Sequence, residues 1–110
     1  MIRDFSHFQK DVVDSCEKIN EYVSQHTFDS FLKDGKTYDA VLMNFAIIGE
    51  AASHFSEEIR KNNLEIDWRT IIAMRNFLVH EYFEIDPKIV WQTVKENIPE
   101  LLLLIKKIKI

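Results

Sequence analysis

Apolar residues recur through the first part of the chain at Phe5, Phe8, Val12, Val13, Cys16, Ile19, Tyr22 and Val23. Steps of three and four residues place them on one stripe of an α-helix. The pattern predicts a helix from about Asp4 to Ser24. Thr27 has the side chain of a helix cap and predicts a short helix from Phe28 to Lys33, after which Gly35 breaks the chain.

Thr37 predicts the cap of a long helix running to about Lys61. Its core positions are Val41, Leu42, Phe45, Ile48, Ala52, Phe55 and Ile59. Ala46, Gly49, Ala52 and Ser53 add a stripe of small residues. A mid-helix glycine costs about 1 kcal/mol relative to alanine. Gly49 therefore predicts the close approach of another helix, from inside the subunit or from a second one. Asn62 and Asn63 end this helix. Asp67 caps the next, from Trp68 to His80 or Glu81, and Asp86-Pro87 opens the last. Ile89, Val90, Val94, Ile98, Leu101, Leu102, Ile105 and Ile108 form its apolar stripe, and Pro99 predicts a kink or a division.

Composition sharpens this picture. Glycine and proline number two each among 110 residues, too few for the turns of a sheet fold. The expected class is all-α: a small up-and-down helical bundle forming one domain over residues 1–110. The formal net charge is −4. That excludes a general basic coat for gripping a duplex, so no DNA partner is expected, but it leaves room for a local phosphate site. The single cysteine, Cys16, cannot form an internal disulfide and reads as a small apolar filler in a reducing compartment. The start is polar and carries no signal-peptide stretch, so a cytoplasmic location is expected. The aliphatic run Leu101 to Ile105 is far short of the roughly 20 residues of a membrane span, and no membrane association is expected.

One segment carries polar residues where the pattern asks for apolar ones. From Ile71 to Phe83 the predicted helix is apolar nearly all round, and Arg75, Asn76 and His80 sit within it. Such a helix is normally buried, and buried Arg and His are costly unless paired. Either these residues satisfy one another as a structural knot, or they line a cleft that takes something anionic. Asn76 and His80, four residues apart, share a face. Arg75 and His80 lie ~140° apart on an ideal helix and converge only if the long Arg side chain sweeps across. Arg, His and Asn are also what phosphodiester cleavage requires. Arg neutralises charge on phosphoryl oxygens, and His moves protons near neutral pH.

Arg75-x4-His80-x-Tyr82, with Asn76 after the arginine, resembles the signature of HEPN domains, and most closely the HepT-like toxins. Tyr38 to Val41, Ile47 to Ala52 and Glu81 to Asp86 read like the same family, so the resemblance covers nearly the whole chain. Met43 departs from it, standing where many relatives carry a basic residue. The resemblance implies a helical bundle, a homodimer and a metal-independent endoribonuclease with no cofactor. It implies a toxin of a type II/VII-like toxin–antitoxin pair, whose partner is an MNT-type nucleotidyltransferase antitoxin. That partner would adenylylate the motif tyrosine, here Tyr82.

The expected mechanism is attack of an RNA 2′-hydroxyl on the adjacent phosphorus. His80 would act as general base or acid, Arg75 would neutralise the phosphorane, and Asn76 would orient His80 or a phosphate oxygen. A two-fold dimer would bring two copies of these groups to one cleft. AMP on Tyr82 would compete with RNA by charge and bulk; otherwise Tyr82 simply packs at the helix end. The alternative function is a catalytically silent dimerisation module that binds the transferase. Glu50, His54 and Glu58 share a face at i, i+4 and i+8, which reads as solvated surface in preference to a metal row; Glu50 could instead pair with Arg75. Trp68 and Trp91 read as core or interface anchors, His7 and His26 as surface residues, and Lys33, Lys36, Arg60 and Lys61 as solvated charge.

Overall fold

The computed structural model describes residues 5–109, leaving aside the side chains of Phe77, Val79, His80, Glu81 and Tyr82. The described residues form helices and no strand: α1 (Ser6–Val23), α2 (Phe28–Lys33), α3 (Gly35–Ser53), α4 (Glu57–Lys61), α5 (Trp68–Glu81), α6 (Pro87–Gln92) and α7 (Ile98–Lys106). A 3-10 turn, Tyr82–Glu84, follows α5, and a π-helical turn, Thr93–Asn97, joins α6 to α7. The all-α class expected from the sequence is what forms.

Local chemistry sets most of the boundaries. Thr27 caps α2 in a reciprocal capping box with Ser30. Asp86 caps α6 by accepting from the Lys88 N–H at 2.9 Å, with Pro87 in the first turn. Asp67 accepts from the Thr70 N–H at 3.2 Å at the start of α5.

Two boundaries differ from the expectation, and Pro99 divides the last helix as expected. Asp34, not Thr37, caps α3; its carboxylate accepts from both the N–H and the hydroxyl of Thr37. Gly35 opens that helix instead of breaking the chain. The long helix to Lys61 is two helices, because Ser56 takes an extended conformation and its hydroxyl accepts from the Ile59 N–H, starting α4 afresh. Pro99 acts through the turn before it. Without an N–H it cannot bond the Lys95 carbonyl, and its ring crowds that carbonyl. The helix widens there, and the Ile98 N–H donates to the Thr93 carbonyl five residues back.

The core lies where α1, α3 and α7 meet. Val12, Cys16 and Ile19 from α1, Val41 and Ile48 from α3, and Ile98 and Ile105 from α7 are almost fully buried. Phe31 of α2 joins them and is flanked by the rings of Tyr38 and Trp91. Gln9 ties the start of α1 to the end of α7, donating to the Ile105 and Ile108 carbonyls at 2.8 and 3.0 Å. α5 packs on α3 and, among the described residues, has no comparably extensive contact with α1 or α7. Between α5 and the α6–α7 arm lies an apolar groove of about 550 Å³, floored by Leu42 and Phe45. Among the described residues, no helix is long and apolar enough to cross a membrane.

Candidate functional site

Gly49 explains where Arg75 stands. A Cβ placed on Gly49 would lie 3.0 Å from both the Arg75 nitrogen and the Ile71 carbonyl oxygen, and 3.1 Å from the Arg75 Cβ. Gly49 on α3 is thus a seat for the backbone of α5 within the same chain. With the backbones this close, Arg75 projects beside Glu50, the residue after Gly49.

The two form an ion pair in which Arg75 Nη1 donates to Glu50 Oε1. The other carboxylate oxygen, Oε2, lies 2.8 Å from Nε2 of His54, the residue that caps the end of α3. On its other branch, Arg75 Nη2 donates to Asn76 Oδ1 at 3.3 Å. One carboxylate therefore holds a guanidinium on one oxygen and an imidazole on the other. The hydrogen bond from Arg75, and then that from His54, keep the Glu50 carboxyl below its ordinary range.

An aromatic contact completes the arrangement. Phe8 of α1 stacks on His54 with ring centroids 4.6 Å apart and planes 9° apart. His7 lies against the Phe8 ring at 3.8 Å. Phe8, Asp11, Ile47, Glu50, His54 and Arg75 line a shallow cleft of about 360 Å³ between α1, α3 and α5. Met43 and Ile47 continue the same face of α3 toward solvent, Met43 being 63% exposed.

Two expectations change. The Arg75 side chain is 47% exposed and Asn76 is exposed, so neither is a buried polar group. The Arg75 side chain leaves the α3–α5 contact at its edge and opens onto the shallow cleft beside Glu50; an open guanidinium does not carry the desolvation cost of a buried one. Glu58 leaves the row it was expected to share with Glu50 and His54, because the chain turns at Ser56 and places it on α4. Among the described residues, no three His, Cys, Asp or Glu side chains gather as a metal site.

His80 lies in the last turn of α5 and Tyr82 begins the 3-10 turn after it, but the side chains of both lie outside the described residues. Of the other residues singled out, Trp68 is a core residue whose indole N–H donates to the Asn63 carbonyl at 3.0 Å. Trp91 packs on Phe28 and Phe31 beneath the Lys95 ammonium. His26 is half-buried, with Nδ1 2.9 Å from the Ser30 hydroxyl. Arg60 reaches back to the Ser53 carbonyl at 2.8 Å, closing the end of α3.

Sequence reasoning missed the Phe8–His54 stack. The i, i+4 spacing of Glu50 and His54 was visible, but the ring covering His54 comes from a helix more than forty residues earlier in the chain.

Comparison with known proteins agrees with the motif. The family described as Ribonuclease HepT-like matches residues 12–108. A protein of Thermococcus cleftensis named "probable ribonuclease HepT" is 38% identical over 101 residues, which is 92% of each chain. A candidate RNase of Caldanaerobacter subterraneus is 35% identical over 97 residues, 88% of this chain and 87% of its own. In a Methanocaldococcus jannaschii protein described as a gamma-glutamylcyclotransferase and candidate RNase, the 34% identical region covers 92% of this chain but 46% of that one. No solved structure matches. The chain belongs to the Ribonuclease HepT-like family of the HEPN superfamily.

Proposed function

We propose that this chain is an endoribonuclease that cuts RNA by in-line attack of a 2′-hydroxyl on the adjacent phosphorus. The observation that carries the reading is the presentation of Arg75. A half-exposed guanidinium, anchored by Glu50 and Asn76, opens onto a cleft in a chain whose family is named for ribonuclease activity. A guanidinium fixed before substrate arrives needs no reorganisation as charge grows on the phosphorane oxygens. His80, five residues along α5, supplies proton transfer. Asn76 holds the guanidinium and is within reach of a phosphate oxygen on the same exposed side. The route needs proton transfer and charge neutralisation, both of which side chains supply, so it runs without a metal.

The same reading makes the protein the toxin of a toxin–antitoxin pair, acting as a homodimer on cellular RNA. An MNT-type nucleotidyltransferase would inactivate it by attaching AMP to Tyr82. The added phosphate would compete with RNA for Arg75 by charge and bulk.

Inducible expression of wild type, Arg75→Ala and His80→Ala tests the activity. Wild type should degrade RNA and leave 2′,3′-cyclic phosphate and 5′-hydroxyl ends, and each variant should leave RNA intact. Undegraded RNA in all three would instead favour a silent dimerisation module that binds the transferase. Sedimentation reads the dimer. Incubation with the transferase and ATP, followed by peptide mass spectrometry, reads the Tyr82 modification.

A further inference from the structure

The Glu50–His54 pair has the form of a proton-transfer dyad, and it opens onto the same cleft as Arg75. His54 Nε2 is 2.8 Å from Glu50 Oε2. A carboxylate there fixes the ring proton on Nε2 and leaves the lone pair on Nδ1. The ring plane is set independently by the Phe8 stack at 4.6 Å and 9°. The His54 side chain is 49% exposed where it lines the cleft, so the ring can meet a ligand there. An imidazole constrained at one nitrogen and in its plane, and open to a cleft, meets the geometric needs of a general base. The same Glu50 carboxylate grips Arg75, so the base and the phosphate-binding cation are registered to one another through two hydrogen bonds.

We propose that His54 is a second proton-transfer residue of the ribonuclease site, taking the proton of the attacking 2′-hydroxyl at Nδ1. The inference rests on the ribonuclease reading above. In the balanced step, Nδ1 of His54 accepts the 2′-hydroxyl proton as the 2′-oxygen bonds to phosphorus. The bond from phosphorus to the 5′-oxygen breaks, and that oxygen takes a proton from the His80 imidazolium. The products are a 2′,3′-cyclic phosphate and a 5′-hydroxyl, and exchange with water restores both rings. A single chain then holds both the acid and the base. The charged and titratable groups lining the cleft with His54 are Glu50 on α3, Arg75 on α5 and Asp11 on α1, and His7 lies against the Phe8 ring that covers His54.

The test is steady-state cleavage of a short RNA by wild type, His54→Gln and His54→Gly across pH. Glutamine keeps an N–H donor for Glu50 but cannot shuttle a proton. The expected result is a fall in kcat of about 100-fold for His54→Gln, with KM within twofold and the acid limb of the pH profile lost. Added imidazole should restore part of the His54→Gly rate. In wild type, the His54 ring resonances should shift when a non-cleavable 2′-deoxy oligonucleotide is added. A His54→Gln protein that keeps wild-type kcat and its acid limb overturns the inference and leaves the ribonuclease reading standing. Ring signals unmoved by the oligonucleotide overturn it whether or not the variants fold. A wild type that leaves RNA intact overturns both.

Discussion

Gly49 and Arg75 touch through their backbones, and that contact decides where the guanidinium points. Replacing one Gly49 Cα hydrogen by a side chain would press on the Arg75 nitrogen and the Ile71 carbonyl, both 3.0 Å from a Cβ at Gly49. Backbone atoms in a helix yield less readily than the end of a side chain. Gly49→Val should therefore destabilise the protein by about 1–3 kcal/mol, read as a lower midpoint in urea. Gly49→Ala gains about 1 kcal/mol of helix propensity, which offsets part of the clash. It should sit within about 1 kcal/mol of wild type in stability yet lose RNA cleavage, because α5 shifts and carries Arg75 off Glu50.

Glu50→Gln separates charge from shape. The Glu50 carboxyl is held below its ordinary range, by Arg75 foremost and His54 second. A carboxyl depressed in the folded state adds stability above its unfolded pKa and loses it as pH falls through the folded one. Wild type should thus be more stable than Glu50→Gln at pH 7. The gap should close as the solution is taken below the ordinary carboxylate range. Urea midpoints of the two proteins from pH 7 down to pH 3 check this, and a gap that widens on acidification would contradict it.

Gln9 ties the two ends of the chain together through its two bonds to the Ile105 and Ile108 carbonyls. Gln9→Ala leaves those carbonyls to find water at a half-covered site. The expected loss is about 1–2 kcal/mol, seen as a lower Tm with cleavage activity at low temperature unchanged.

Cys16 is fully buried, and burial pushes its thiol up to about 12. The thiolate that alkylating agents need is therefore scarce at pH 8. Native protein should resist iodoacetamide at that pH, whereas protein in 6 M guanidinium should be modified at once. Mass spectrometry of the intact chain reads both.

The sequence announced most of the scaffold because local signals agreed with tertiary ones. The α1 stripe from Phe8 to Val23, the Thr27 cap and the Asp86-Pro87 start are short-range patterns, and each sits where it was expected. The errors came where two local signals competed. Ser56 outranked the apolar periodicity running through Phe55 and Ile59, and Asp34 outranked Thr37 as the cap. At the site, Arg75 and Asn76 stood out as polar residues in an apolar run, and the pairing of Arg75 with Glu50 was among the readings open. Their exposure was not legible. It depends on where α5 meets α3, which no pattern within α5 records. The ring stack on His54 was hidden for the same reason, since it joins helices distant in sequence.

α5 leans on a single wall. Its support is α3, and on its other side lies the apolar groove toward α6 and α7. The framework of α1, α3 and α7 keeps its own interlocked side chains, Val12, Ile19, Ile48 and Ile105 among them, whether or not α5 is seated. The part of α5 beyond the buried Trp68, which bears the arginine, can loosen before that framework does. Gentle heating should silence this molecule well before it melts it.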